Sequence, residues 1–299
     1  MVRLSDILKK KIKINLPTEQ VKSEERQSPP SPIEITKIMG KEVQGPEKPL
    51  ELQIAAALKN TVDTQRSKDI YAKGMQLIKE LSKAAQEGKA VELKPVRDWA
   101  DEVIDCFVLQ DKTLFSLFYE DYPAQEELYN HTLNVAAMSI ALGLRLGYNK
   151  SRLAELGLCA FLYDTNFKPQ EVPEFSQIIG IVDEYEVLTH SRHERKKILP
   201  YQALKEMVSS HKFDSHLLKS LIDLIGVYPS GSYVELNTNE IAKVIVSNTD
   251  FPLRPIVSII FDAAKNKLEQ PRLINLAKQL NLYIKKPLYD EEISSLAKS

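Results

Sequence analysis

The sequence predicts an all-α fold, a helical bundle carrying one small β-hairpin near its C-terminal end. Three observations carry this. Between residues 50 and 225 the apolar residues recur at helical spacing in one segment after another. Two β-rich runs, residues 233–236 and 241–246, flank the turn residues Asn237-Thr238-Asn239-Glu240. Hydrophobic residues make up 43% of the 299-residue chain, ample for a core, and 27% charged residues supply a solvated surface. No internal repeat is visible.

The helices come in order along the chain. Leu50, Leu52, Ile54, Ala57, Leu58 and Val62 predict one helix. Ile70, Met75, Leu77, Ile78 and Leu81 predict a second, ending near Gly88. Val96, Trp99, Val103, Ile104 and Phe107 predict a third, and Leu114, Leu117 and Phe118 a short fourth. Residues 126–146 give the strongest signal. Apolarity nearly all round makes that helix central, and Gly147 stands in the usual C-terminal position. Further helices are expected over 153–163, 175–191, 201–208 and 216–225. The organisation expected is a flexible tail and linker over 1–49, a helical region over 50–125, and a domain over 126–299 that ends in the hairpin. The tail is rich in Pro, Ser, Glu, Gln and Lys and cannot bury enough surface to fold. Within it, residues 1–16 read as a short basic helix that suits an anionic surface or a partner, or as a solvated tail.

Composition excludes several classes. The formal net charge is -1, so no global field draws the chain to nucleic acid or to a membrane. No run of about 18 apolar residues spans a bilayer, and the N-terminus lacks the apolar core of a signal peptide. The two cysteines, Cys106 and Cys159, lie in apolar periodic stretches and read as buried, reduced thiols. The expectation is a cytoplasmic protein.

Four segments, in order, then become specific. Tyr129-Asn130-His131-Thr132-Leu133-Asn134-Val135-Ala136 resembles the helix that bears the first metal histidine of HD-GYP domains. Residues 144–148 and 154–162 resemble that family's approach to its His-Asp pair. Residues 181–189, around Asp183, resemble its later aspartate helix. Residues 228–236 and 252–255 resemble its C-terminal hairpin. The resemblance covers roughly 70–276. It implies an HD-domain-like helical bundle of bacterial signal transduction. The family's activity is hydrolysis of cyclic di-GMP at a metal centre.

The departures matter as much. The family's His-Asp-x-Gly-Lys motif is here Tyr163-Asp164-Thr165-Asn166-Phe167, without its histidine or its lysine, although Lys168 lies one residue on. A phenol titrating near ~10 is a poor substitute for imidazole as a metal donor. Between Asp164 and Asp183 the family carries further helices with another histidine and the Gly-Tyr-Pro motif. Here that interval holds no histidine, and four of the five histidines come after Asp183.

What the resemblance leaves is a residual metal set of Glu127, His131, Asp164 and Asp183. Glu127 and His131, at i and i+4, share a helix face. No cofactor is expected, or at most a single divalent ion, manganese or iron, at low occupancy. The structural reading of the same residues is that Asp164 caps the next segment, Asp183 pairs with a base and His131 is a satisfied core histidine. Lys168 and Arg192 are the candidate phosphate contacts, Arg192 within a basic cluster that also reads as a solvated helix end. No catalytic residue is assigned.

The expected function is therefore that of a degenerate, non-catalytic HD-GYP-like signalling protein that binds a protein or a ligand. The alternatives are a metal-dependent phosphohydrolase with a reduced site and a cyclic-dinucleotide sensor without turnover. Loss of the covering segment is expected to uncover apolar residues of the aspartate helix, among them Ile178, Ile179, Val182, Val187 and Leu188, so that another subunit, a partner, or the helix of Leu50 to Val62 folding back should cover them, an intermolecular contact being the favoured case.

Overall fold

The computed structural model describes residues 64–87, 92–108, 126–163, 172–190, 197–248 and 251–296, together with 89 and 114. The expected tail, the helix of Leu50 to Val62 and most of the short fourth helix lie outside these residues. The described chain falls into two compact units, one reaching Val187 and one beginning at Leu188.

The first unit is helical: α1 (Thr64–Glu87), α2 (Lys94–Val108), α3 (Glu127–Arg145), α4 (Lys150–Leu162) and most of α5 (Pro173–Thr189). In α3 every residue from Asn130 to Gly143 is buried, as its all-round apolarity predicts. Gly147 ends it with φ 85°, a conformation that suits a residue without Cβ. Its N–H bonds Leu144 O while the Tyr148 N–H bonds Gly143 O, the pair of contacts that defines a Schellman cap. Asn149 then caps α4, accepting from Arg152 N at 3.0 Å.

Trp99 anchors this core. Its indole N–H donates to Ile70 O at 3.0 Å and its ring meets Phe161 edge-on at 5.0 Å. Close approach depends on glycine at two points. A Cβ on Gly74 would stand 2.4 Å from Leu133 Cδ1, and one on Gly157 would stand 2.7 Å from Ile140 Cδ1. Cys106 is buried as expected, but Cys159 is half-buried; neither is in a disulfide.

The second unit contains α6 (Pro200–Ser210), α7 (Ser215–Ile225), β1 (Tyr233–Leu236), β2 (Ile241–Val246), β3 (Ile256–Phe261), β4 (Lys267–Asn275), β5 (Ile284–Leu288) and α8 (Asp290–Leu296). The β1–β2 hairpin has the expected bounds, and Asn239 supplies its left-handed turn residue with φ 65°. The hairpin is not alone, which corrects the all-α description of this end of the chain. It is the centre of a five-stranded antiparallel sheet in the order β4-β3-β2-β1-β5. A two-stranded ribbon is marginal in water, and the added strands give it an apolar face. Ile241, Phe261, Leu288 and Ile293 form a core cluster between sheet and α8. The edge strands each carry a proline and several charges, Pro271 in β4 and Pro287 in β5.

The apolar residues of α5 expected to need a cover are buried. Ile178 is 1% exposed, Ile179 2%, Val182 0% and Leu188 7%. Only Val187 of the five is left half-buried.

Candidate functional site

His131 lies one turn into α3 and is buried. Its ring faces α5, where Asp183 and Glu186 sit three residues apart and share a helix face. Asp183 Oδ1 is 3.0 Å from His131 Nε2. Glu186 Oε2 contacts Nδ1 in a short hydrogen bond from the opposite edge of the ring. The Glu186 side chain is 3% exposed and that of Asp183 18%.

Burying a carboxylate is costly unless it is paired and hydrogen-bonded. An imidazolium donating from both nitrogens would satisfy both acids. A second arrangement places the proton on Nδ1, toward Glu186, and leaves the Nε2 lone pair facing Asp183. That is how a carboxylate behind a histidine orients it toward a metal ion. His131 Nε2 and Asp183 Oδ1 are thus the two adjacent donors the described chain offers. Glu127 shares α3 with His131 and is half-buried. Among the described residues no group of three or more His, Cys, Asp or Glu side chains is placed to hold an ion. Those residues alone therefore do not fit a two-metal centre. Asp164, Lys168 and Arg192 lie outside the described residues. Tyr163, where the HD-GYP resemblance leads one to expect a histidine, caps the end of α4 with 42% of its surface exposed.

Two sets of residues that sequence reasoning does not single out position this site. Glu186 is the first, and its signal is present as the second acid on the Asp183 face. The second set fixes the start of α5. Arg152 lies 4.8 Å from the centre of the Tyr148 ring and 5.4 Å from that of Phe175, and it is ion-paired with Glu174. The Tyr148 hydroxyl donates to the same carboxylate, and burial, then Glu174, pushes its phenol above the ordinary value. A polar stripe continues along α3. Tyr71 OH on α1 lies 3.1 Å from Asn130 Oδ1 and 3.0 Å from Asn134 Oδ1.

The family model described as "KOW domain associated with HD domain" matches residues 233–296, the stretch that holds the sheet and α8. The cyclic di-GMP phosphodiesterase PdeB of Borreliella burgdorferi is 28% identical over 135 residues. That alignment covers 44% of this chain and 35% of the phosphodiesterase, so the chain spans about a third of that relative's length. No solved structure matches. The KOW match, whose description names an HD domain as companion, and the distant likeness to a phosphodiesterase together support an HD-domain family for this chain.

Proposed function

We propose that this chain is a non-catalytic HD-type signalling protein that acts by binding rather than by hydrolysis. The observation that carries the reading is the enclosure of His131 by Asp183 and Glu186 on its two ring nitrogens. An imidazole held in this way contributes to the fold without any ion. Tyr163 adds support, since a phenol ending α4 replaces the second imidazole that the HD-GYP resemblance calls for. Hydrolysis of a phosphodiester at such centres generally needs two metal ions, one to generate a hydroxide and both to clamp the reacting oxygens.

The test is direct. Protein purified without chelator is expected to hold less than one transition-metal ion per chain by elemental analysis. Cyclic di-GMP incubated with the protein and added manganese or iron is expected to stay intact. Two ions per chain, or turnover that vanishes in Asp164→Ala, overturns the reading and restores the metal-dependent phosphohydrolase.

A second reading is favoured by the relative's name, that of a cyclic di-GMP phosphodiesterase. In it the chain senses a cyclic dinucleotide without cleaving it. Calorimetric titration with cyclic di-GMP separates the two. Saturable heat without turnover identifies a sensor, and no heat leaves a protein partner as the ligand.

A further inference from the structure

Residues 270–289 contain no aspartate or glutamate but four basic residues, Arg272, Lys278, Lys285 and Lys286. Five large hydrophobic residues are exposed among the described residues, and three fall in this stretch: Leu273 at 40%, Leu280 at 72% and Tyr283 at 55%. Leu280 and Tyr283 belong to the connection between β4 and β5.

That connection is tied down. Arg254 donates to the carbonyls of Leu276 at 3.0 Å and Leu282 at 3.3 Å. The Asn237 side chain donates to Asn281 O at 3.1 Å and accepts from Tyr283 N at 2.9 Å. Two turns close it internally, Lys278 N on Asn275 O and Leu282 N on Gln279 O. Leu280 is therefore held in water by a fixed backbone, which contributes nothing to folding. Apolar groups displayed in this way mark contact sites.

The charges around it are layered. Arg272 pairs with Glu240, and Lys285 and Lys286 with Glu235. The three cations have side chains 62%, 53% and 50% exposed, the two carboxylates only 16% and 12%. Lys265 also reaches Glu235, so that one acid faces three ammonium groups. Solvent meets the cations, and positive charge is left over. Lys286 also lies 3.5 Å from Glu292, so these four cations meet three acids and one positive charge remains over, beside Lys278 of the connection itself.

We propose that the β4–β5 connection is a docking loop for an anionic lipid surface. Leu280 and Tyr283 enter the boundary between headgroups and acyl chains, and Lys278, Lys285 and Lys286 meet the lipid phosphates. Fixed apolar groups ringed by lysine are the signature of interfacial binding. A protein partner fits less well. One large aromatic side chain buries roughly 150–250 Å², so three partly exposed side chains fall far short of the about 1,600 Å² of a specific protein interface. Single-stranded nucleic acid fits less well too, because its bases stack on aromatic platforms and two of the three exposed groups are leucines. No helix among the described residues is long and apolar enough to cross a membrane, so this contact lies on the surface. The inference does not depend on the catalytic status of the first unit.

Sedimentation of the full chain with vesicles tests it. The protein is expected to pellet with vesicles of equal parts phosphatidylcholine and phosphatidylglycerol, to ignore phosphatidylcholine alone, and to be released by high salt. The double variant Leu280→Ser/Tyr283→Ser is expected to bind at least about tenfold more weakly at an unchanged melting temperature. Leu280→Glu, a single change at an exposed site, is expected to weaken binding in the same direction. Failure of the full chain to bind the anionic vesicles overturns the proposal. So does equal binding by the variants, which assigns the attraction to basic residues elsewhere in the chain. Binding of a single-stranded oligonucleotide that is lost in Leu280→Glu, without vesicle binding, also overturns it.

Discussion

His131 owes its place to two acids that are worth more together than apart. A buried ion pair adds little when compared with a well-packed apolar pair, but removing one partner leaves the other charged and unsatisfied. Glu186→Ala is therefore expected to lower stability by about 3–5 kcal/mol, read as a shift of the urea midpoint at neutral pH. A shift under about 1 kcal/mol, the worth of an exposed ion pair, would show that the ring does not depend on this carboxylate. His131 and Asp183 can be singled out in the sequence because each falls in a recognisable segment. Glu186 cannot be paired with His131 in the same way, since the two are separated by 55 residues and meet only after α5 has docked. The alternative in which His131 is a satisfied core histidine anticipates the kind of partner, though it names a base for Asp183 without identifying it as His131.

Elements are legible where one signal dominates. The run in α3 has only one outcome, burial on all sides, and the turn residues between β1 and β2 fix a hairpin. The strand β3, Ile-Val-Ser-Ile-Ile-Phe, is a short apolar run of the kind that periodicity cannot tell from a buried helix. In β4 and β5 the proline and the charges dilute the strand pattern, because an edge strand buries little. The cover over α5 escapes the sequence for a related reason. Sequence shows which side chains need burial but not what supplies it. At this scale the helices α3 and α4 offer the sharpest test. A Cβ at Gly157 would press on Ile140 and come within 3.1 Å of Ala100 Cβ. Gly157→Val is expected to cost roughly 1–3 kcal/mol through overpacking, in spite of the better helix propensity of valine. An unchanged urea midpoint would mean that α4 can step away from α3 without loss.

For the molecule as a whole, the open sheet poses the main hazard. Its two edges present unpaired backbone groups, the usual template for joining another chain. Pro271 and Pro287 remove a donor from each edge, and Lys267, Arg272, Lys285 and Lys286 add charge beside them. The double variant Pro271→Val/Pro287→Val is expected to self-associate at concentrations where the parent chain does not, measured by light scattering. Equal scattering would show that charge alone guards the edges. Blocked edges also restrict how the second unit can meet others, to side chains of its faces and loops rather than to its backbone.

The polar stripe on α3 has a consequence for motion. Advancing a helix by one turn moves it about 5.4 Å along its axis and brings each residue to the place of the one four positions away. Such a step in α3 would carry Asn130 to the place of Asn134, where the Tyr71 hydroxyl still meets an amide oxygen, but it would strip His131 of both acids. The asparagine pair alone would let the helix slip by a turn, and the histidine clasped between two acids is the pin that forbids it. The axial register of α3 against α5 therefore hangs on one imidazole.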